Sequence, residues 1–290
     1  MSRPRIVVIG GGPAGMMAAL FAARNGADVT LLERNDKLGK KLYITGKGRC
    51  NLTNSAPPDL FMRNIVRNPR FLYSALDALD NDRLMGLIEN AGTPLKIERG
   101  GRVFPVSDHA SDVTKALESE LRRSGVRILM ETGAAELLVR DGRVAGVTLD
   151  DGRFLEAGAV VVATGGLSYP STGSTGDGFR FAEASGHAVR QPLPALVPLE
   201  TEETWPKGAM GISLKNVRLT AEHRGKKLFS DQGELMLTHF GLSGPLALTL
   251  SSMLPEDPAG VRLLIDLKPA LDVETLDQRL LRDLSQAPRK

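Results

Sequence analysis

A glycine-rich turn near the amino terminus constrains the fold of this chain more than any other stretch. The short apolar, β-branched run Arg5–Ile9 is typical of a buried parallel strand. Gly10-x-Gly12-x-x-Gly15 follows it directly. In such a turn the first glycine permits a sharp bend, the second lets the backbone approach a diphosphate, and the third lets helix and strand pack closely. The turn therefore predicts a strand–turn–helix unit of an α/β fold.

The residues that follow complete the pattern of a dinucleotide-binding unit. The sequence predicts a helix over Met16–Asn25, which ends at Gly26, and a second strand over Asp28–Leu32. Glu33 ends that strand 18 residues after Gly15, close to the spacing of a carboxylate that accepts ribose hydroxyls. Because all four parts occur in order, a nucleotide site is favoured over a plain tight turn. The predicted cofactor contacts in this unit are Gly10, Gly11, Gly12, Pro13, Ala14, Gly15, Glu33 and Arg34.

Positive charge is concentrated in one part of the chain. The formal net charge of the 290 residues is only +3. Residues 34–70, however, contain nine basic and two acidic side chains, a local charge of +7. Such a stretch favours a phosphate-bearing partner, although a solvated face would have the same composition.

Cysteine content and hydropathy exclude several classes of protein. The single cysteine, Cys50, excludes an intramolecular disulfide and a cysteine-based zinc cluster, and no metal site is predicted. No run approaches 18 consecutive apolar residues, and the amino terminus passes into a strand–turn–helix pattern instead of a signal peptide. The sequence therefore predicts a soluble protein of the cytoplasm without a membrane partner.

Two further glycine-rich stretches bear on the identity of the nucleotide. In KKLYITGKGRCNLTN, residues 40–54, backbone amides and Arg49 are candidates to contact flavin oxygens or phosphate. The alternative is a basic surface turn with one buried cysteine. An antiparallel meander is predicted over residues 136–150, followed by a strand at Val160 that enters Ala163-Thr164-Gly165-Gly166. This layout is typical of two-dinucleotide-binding-domain flavoproteins and differs from that of simple NAD dehydrogenases.

The remaining patterns indicate two domains. Amphipathic helices are predicted near Phe71–Asn90 and Ser111–Ser124, and the proline-rich residues 190–200 are a candidate crossing. We predict an FAD-binding domain over 1–190 and a β-rich substrate or cap domain over 191–290, ending in a helix over Asp272–Leu284. In this second domain His239 is a candidate proton donor, although a lone histidine in a loop is more often structural.

Several motifs together resemble the BaiN/RdsA-like family of NAD(P)/FAD-dependent oxidoreductases. They are GGGPAGMMAA, TGKGRCNLTN, GRVFPVSDHASDV, ATGGLSYPSTGSTGDGF, PALVPL and THFGLSGP. The resemblance implies FAD as cofactor and a Rossmann-like flavin domain interrupted by an inserted β-rich domain. It places the FAD diphosphate on the glycine turn and the adenosine ribose on Glu33. Further cofactor contacts that the resemblance implies are Lys41, Gly48, Arg49, Cys50, Asn51, Ala134, Thr164 and Gly165.

The carboxyl terminus departs from the family pattern. Family members end in a segment like GLYFAGEVLDVDGxxGGYN, which caps the flavin, whereas this chain ends at LLRDLSQAPRK. We therefore expect a truncated chain or a fragment of a longer product. Such a chain would hold the ADP half of FAD and bind the flavin ring weakly.

The resemblance also implies a reaction. NAD(P)H would reduce the flavin, which would deliver a hydride to an electron-poor C=C bond while a protein acid supplies a proton. Cys50 is a candidate for that acid because the implied loop sets it beside the flavin; the alternative is a packing residue. A uridine in ribosomal RNA and a small unsaturated steroid-like acid stay open as substrates. The basic stretch favours RNA, whereas the 4% aromatic content leaves few stacking platforms. The alternative to an enzyme is a non-catalytic flavoprotein remnant or nucleotide-binding module.

Overall fold

The computed structural model describes residues 3–286. The chain divides into two compact units, Met1–Arg190 and Gln191–Lys290. The roles that the sequence suggests for them, FAD binding and substrate capping, stay predictions. No helix within residues 3–286 combines the length and apolarity that crossing a bilayer would require.

The first unit mixes strands and helices. Its strands are β1 (Arg5–Ile9), β2 (Asp28–Leu32), β3 (Thr53–Asn54), β4 (Leu95–Glu98), β5 (Arg102–Pro105), β6 (Arg127–Leu129), β7 (Ala134–Arg140), β8 (Arg143–Leu149), β9 (Phe154–Glu156) and β10 (Ala159–Val162). Its helices are α1 (Pro13–Arg24), α2 (Pro58–Arg63), α3 (Tyr73–Ala78), α4 (Asn81–Asn90), α5 (Ala110–Arg123) and α6 (Asp177–Ala184). Short 3₁₀ turns cover Leu42–Gly48, Pro69–Leu72 and Pro170–Thr172.

A parallel sheet in the order β10-β1-β2-β6 organises the first unit. The register of β1 against β2 runs from Arg5 opposite Asp28 to Ile9 opposite Leu32, as the two apolar runs predict. Because β1 is a central strand, its carboxyl end opens between two neighbours. The glycine turn therefore starts at the edge of the sheet where α/β folds bind their ligands.

Both faces of β1 are covered, which explains why this central strand is continuously apolar after Arg5. Side chains alternate along β1, so Val8 packs with Met16 of α1 and Leu121 of α5 on one face. Val7 and Ile9 pack on the other face in a cluster with residues of β8 and α6. The first cluster packs α1 against β1, the two elements that the glycine turn joins, and the second packs β1 against the meander and α6.

Two small antiparallel sheets complete the first unit. The meander β7-β8-β9 matches the strands predicted over 136–150, and Asp141 and Gly142 turn between β7 and β8 with φ of 51° and 71°. The sheet β3-β5-β4 was not predicted, because its strands are two to four residues long. The amphipathic stretch from Phe71 to Asn90 is also interrupted. Asp80 ends the extended link after α3 and caps α4, where its side chain accepts a hydrogen bond from the Arg83 amide at 2.7 Å.

The second unit is mainly antiparallel. Its strands are β11 (Leu199–Glu200), β12 (Ser213–His223), β13 (Lys226–Leu237), β14 (Gly241–Ser243) and β15 (Arg262–Asp266), and its helices are α7 (Trp205–Gly208), α8 (Pro245–Ser251) and α9 (Val273–Gln286). The sheet order is β11-β14-β13-β12-β15. The predicted hairpin turn at Arg224–Gly225 is present, since both residues have positive φ and join β12 to β13. Helix α8 was not predicted; Gly244 and Pro245 start it within a stretch whose composition resembles a strand.

Candidate functional site

A cleft lies at the carboxyl edge of the parallel sheet, within the first unit. Its walls come from the glycine turn, the end of β2, the start of β7 and the loop after β10. Of the sequence-predicted cofactor contacts, those that line it are Gly10, Gly12, Pro13, Ala14, Glu33, Arg34, Lys41, Ala134, Thr164 and Gly165. Lining residues that sequence reasoning missed include Asn35, Lys40, Thr132, Gly133, Gly173, Ser174, Asp177 and Phe181. Residues far apart in the sequence are thus brought together as a binding site requires.

The glycines of the turn have different physical roles. Gly10 has φ of 105°, and a Cβ there would lie 2.5 Å from the Ala163 carbonyl oxygen. A Cβ on Gly15 would overlap the Gly10 carbonyl oxygen, so these two glycines let β1, β10 and α1 approach closely. Gly12 differs, because no heavy atom of residues 3–286 outside its immediate neighbours lies within 4 Å of the position of a Cβ. The absent side chain at Gly12 therefore leaves open space in the cleft instead of permitting protein packing.

The open space at Gly12 coincides with the start of α1. Gly12 is the N-cap residue, with φ of −72° and ψ of 177°, and Pro13 occupies the first turn. The first amides of a helix have no intrahelical acceptors and lie at the positive end of the helix dipole. The cleft therefore offers free backbone donors and positive potential at the place where no side chain intrudes.

Glu33 holds the turn from the end of β2. Its side chain is buried, with 7% exposure. Oε2 accepts a hydrogen bond from the Gly11 amide at 2.8 Å. Oε1 accepts from the amide and the side chain of Asn35, at 2.8 and 2.6 Å. The spacing of Glu33 predicts a ribose contact; the structure adds that this carboxylate fixes the peptide of Gly11 within the glycine turn.

Two cations fasten the loop that closes the far wall. The Lys41 ammonium donates to the Ser168 carbonyl and the Ser174 hydroxyl, both at 2.8 Å. The Arg34 guanidinium pairs with Asp177 at 2.7 Å. Beside this loop, the buried Thr164 hydroxyl has no hydrogen-bond partner within the described part of the chain. A buried hydroxyl of this kind is costly unless a ligand or water satisfies it.

The loop Gly48–Asn51, also predicted to contact the cofactor, does not line this cleft. Arg49 instead pairs with Glu98 at 2.8 Å and with Asp108 at 3.3 Å, and its guanidinium lies 4.1 Å from the centre of the Phe104 ring. The hydrogen bond from Arg49 lowers the pKa of Glu98, and Lys96 does the same for the pKa of Asp108. Arg49 thus fixes the loop that follows the 3₁₀ turn Leu42–Gly48 to the small sheet β3-β5-β4.

Cys50 is a core residue in this structure. It has no exposed surface, adopts φ of 64° and packs with the cluster that contains Val8 and Met16. Burial raises the pKa of the thiol to about 11, so it holds its proton at neutral pH. The role of Cys50 as a proton donor stays a prediction, and it requires the thiol to become accessible.

We expect the Cys50 thiol of the native protein to react with Ellman's reagent at pH 8 at least about 100-fold more slowly than after unfolding in guanidinium. The free energy of unfolding should also fall as the pH rises from 9.0 to about 11, because the unfolded thiol loses its proton first. A Cys50→Ala variant controls for other groups that titrate in this range. Rapid reaction of the native thiol would contradict the buried assignment.

His239, the other candidate proton donor, belongs to the second unit. It lies between β13 and β14, is exposed, and makes an edge contact with the Phe240 ring at 4.7 Å between centroids. Its role stays a prediction. No group of three or more His, Cys, Asp or Glu residues within 3–286 is arranged to hold a metal ion.

The parallel sheet, the glycine turn and the cleft at the carboxyl edge define a Rossmann-type nucleotide-binding fold. The chain belongs to the HI0933-like protein Rossmann domain family, whose model matches residues 4–249. This confirms the α/β fold class and the family resemblance that the sequence motifs indicate.

The chain is similar in sequence to three curated proteins. It is 31% identical over 289 residues to the 3-dehydro-bile acid delta(4,6)-reductase of Clostridium scindens, covering 98% of this chain and 69% of that protein. It is 33% identical over 251 residues to the ribosomal RNA dihydrouridine synthase of Haemophilus influenzae, covering 85% and 60%. It is 31% identical over 280 residues to the enzyme of that name from Escherichia coli, covering 95% and 66%. The chain thus spans between 60% and 69% of the length of these relatives.

Proposed function

We propose that the cleft binds FAD and that the chain is the cofactor-binding part of a flavin-dependent oxidoreductase. The observation that carries this proposal is the open space at Gly12 beside the first amides of α1. A diphosphate suits this place, because helix amino termini stabilise anions and supply free donors. The Thr164 hydroxyl supports the proposal, since a bound cofactor would give this buried group a partner.

The residues around the cleft take defined roles in this proposal. The amides of Ala14 and Gly15 would donate to the diphosphate, and Glu33 would keep the turn in shape while the remaining lone pair of Oε2 accepts from a ribose hydroxyl. The backbone at Ala134, which lines the cleft at the start of the meander, would hold the adenine. When bound, FAD accepts a hydride from a reduced nicotinamide and passes a hydride to an electron-poor carbon.

The proposed reaction is the two-electron reduction of a C=C bond, with NAD(P)H as the electron donor. A hydride adds to one carbon and a proton to its neighbour, so the double bond becomes a single bond and NAD(P)⁺ leaves. The names of the three relatives support this, because each denotes a reductase or the synthase of a dihydro-base. A single cysteine, which forms no disulfide, suits the reducing cytoplasm as the place of this reaction.

Ribosomal RNA uridine is the substrate that we favour. Two of the three relatives are ribosomal RNA dihydrouridine synthases, and the basic residues 34–70 suit a polyanion. A small unsaturated steroid-like acid is the second candidate. The bile acid reductase supports it, since that protein matches 98% of this chain.

The test begins with purification of the chain after incubation with FAD. We expect a yellow protein with the two-banded flavin absorption spectrum, whose bands bleach when NADH or NADPH is added without oxygen. Turnover is then measured with a uridine-containing ribosomal RNA fragment and, separately, with an unsaturated bile acid, by the gain of two hydrogen atoms in the product. The reduced nicotinamide that supports turnover identifies the donor.

Each outcome of this experiment decides something. A bound flavin without reduction of either substrate would favour a non-catalytic remnant or binding module. A colourless protein that also fails to bind ADP would overturn the proposed function altogether.

A further inference from the structure

An asparagine that no sequence motif indicates lies in a hydrogen-bond network beside the nucleotide cleft. Asn35 follows the end of β2 and lines the cleft together with Glu33 and Thr172. Its side chain is half-buried. Because it contacts both the carboxylate at the end of β2 and the loop after β10, Asn35 connects two walls of the cleft.

The polar atoms of the Asn35 side chain are engaged within the protein. Nδ2 carries two hydrogens and donates to Oε1 of Glu33 at 2.6 Å and to the Thr172 carbonyl at 3.2 Å. Oδ1 accepts from the Lys40 ammonium at 3.0 Å. This orientation of the amide is fixed, because a reversed amide would set Oδ1 against two acceptors and Nδ2 against a cation. Asn35 therefore has no side-chain donor left for a ligand, and its effect on a ligand passes through Glu33.

The acceptor positions of the Glu33 carboxylate show what this effect is. A carboxylate offers about four lone-pair positions. Oε1 accepts from the amide of Asn35 at 2.8 Å as well as from its side chain, and Oε2 accepts from the Gly11 amide at 2.8 Å. Among the described residues this leaves one position, on Oε2. Asn35 thus occupies one oxygen fully and prevents the carboxylate from turning.

The contact with Thr172 holds Asn35 from the other side. Thr172 ends the 3₁₀ turn Pro170–Thr172, in which the Gly173 amide donates to the Pro170 carbonyl at 2.9 Å. Gly173 has φ of 95°, and a Cβ there would lie 2.8 Å from Nδ2 of Asn35. The loop can approach Asn35 this closely because residue 173 has no side chain.

We infer that Asn35 is a positioning residue for ribose recognition: it saturates Oε1 of Glu33 and so presents Oε2 as the acceptor for a single ribose hydroxyl. The inference rests on the proposed function, because it requires an adenine nucleotide in the cleft. It assigns to Asn35 the selectivity for that hydroxyl and leaves the affinity for the diphosphate to the start of α1.

The test compares ADP with 2′-deoxy-ADP and 3′-deoxy-ADP by isothermal titration calorimetry. We define the ribose ratio as the Kd of the weaker deoxynucleotide divided by the Kd of ADP. It should be about tenfold or more in the parent chain, since the lost hydrogen bond is one to a charged group. In Asn35→Ala the carboxylate can turn and water can satisfy either oxygen, so the ribose ratio should fall below about 3.

Asn35→Asp is a second variant that keeps the size of the side chain. It replaces the two Nδ2 donors with an acceptor, so Oε1 of Glu33 would face another carboxylate and be repelled. The ribose ratio should fall at least as far as in Asn35→Ala. Because the ratio compares nucleotides on one preparation, a loss of folded protein cancels, and the fitted stoichiometry gives the folded fraction.

Lys41→Ala is the matched control for the loop contact. The Lys41 ammonium donates to Ser168 and Ser174 of the same loop and, within residues 3–286, to neither Glu33 nor Asn35. This variant loosens the loop without changing the acceptor positions of Glu33. We expect it to weaken ADP and the deoxynucleotides by the same factor, so the ribose ratio should equal that of the parent chain.

Three results would overturn the inference. They are equal binding of all three nucleotides by the parent chain, an unchanged ribose ratio in Asn35→Ala, or a ratio that falls as far in Lys41→Ala as in Asn35→Ala. If the parent chain binds ADP and the Asn35 variants keep its ribose ratio, this inference is wrong and the cofactor proposal stands. If the parent chain binds no ADP, both are wrong.

Discussion

Replacement of Gly12 with aspartate is expected to abolish the binding of ADP and FAD while the protein stays folded. The side chain would enter the open space in the cleft, and its carboxylate would meet the place of the diphosphate. Gly12 is the N-cap of α1 and has ordinary extended backbone angles, and aspartate is a good N-cap residue. We therefore expect a loss of affinity of at least about 100-fold, with the free energy of unfolding unchanged to within about 0.5 kcal/mol.

Isothermal titration calorimetry measures the affinity for ADP, and urea unfolding measures the free energy of unfolding. Gly12→Ala serves as the control, because a methyl group adds little volume and no charge, and its loss of affinity should be smaller than that of Gly12→Asp. Equal ADP affinity for Gly12→Asp and the parent chain would show that the diphosphate lies elsewhere.

Gly15→Ala should instead lower the stability of the fold. The new Cβ would overlap the Gly10 carbonyl oxygen and lie 3.3 Å from the Ala163 side chain, so α1 would have to move away from the sheet. Both atoms belong to the close contact of β1, α1 and the end of β10, so neither can move far to make room for the new Cβ. We expect the free energy of unfolding to fall by at least about 3 kcal/mol in urea.

Gly86→Ala is the matched control for this variant. Gly86 lies inside α4, and no described atom outside its neighbours and its own helix lies within 4 Å of a Cβ there. Alanine in a helix interior should therefore stabilise the protein by about 0.5 to 1 kcal/mol. If Gly15→Ala unfolds at the same urea concentration as the parent chain, the close packing at the turn is not what requires the glycine.

The parts of the fold that the sequence predicts well are those governed by local patterns. The glycine turn, the flanking strands β1 and β2 and the hairpin turns at Asp141–Gly142 and Arg224–Gly225 each have a strong local signal. The sheet β3-β5-β4 and helix α8 lack one. The strands of that sheet are too short to show alternation, and α8 follows a run that suits a strand equally well.

In the cleft, too, the sequence predicts the residues that belong to local motifs and misses those whose positions depend on how the loops pack. Gly12, Glu33 and Thr164 line the cleft, and their contacts with a cofactor stay predictions. Asn35 and Ser174 were missed, since their contacts to Glu33 and Lys41 depend on how the loops pack. The motif around Arg49 indicates a cofactor contact, whereas in the structure Arg49 pairs with Glu98 and Asp108. The sequence does not predict these ion pairs, because both carboxylates are distant from Arg49 along the chain.

Calorimetric titration of the purified chain with ADP and with adenosine tests most directly whether the start of α1 receives a diphosphate. Adenosine keeps the base and the ribose, so the comparison isolates the phosphates. We expect ADP to bind at least about 100-fold more tightly than adenosine, and Gly12→Asp to remove this difference. Equal affinities of the parent chain for ADP and adenosine would contradict the account.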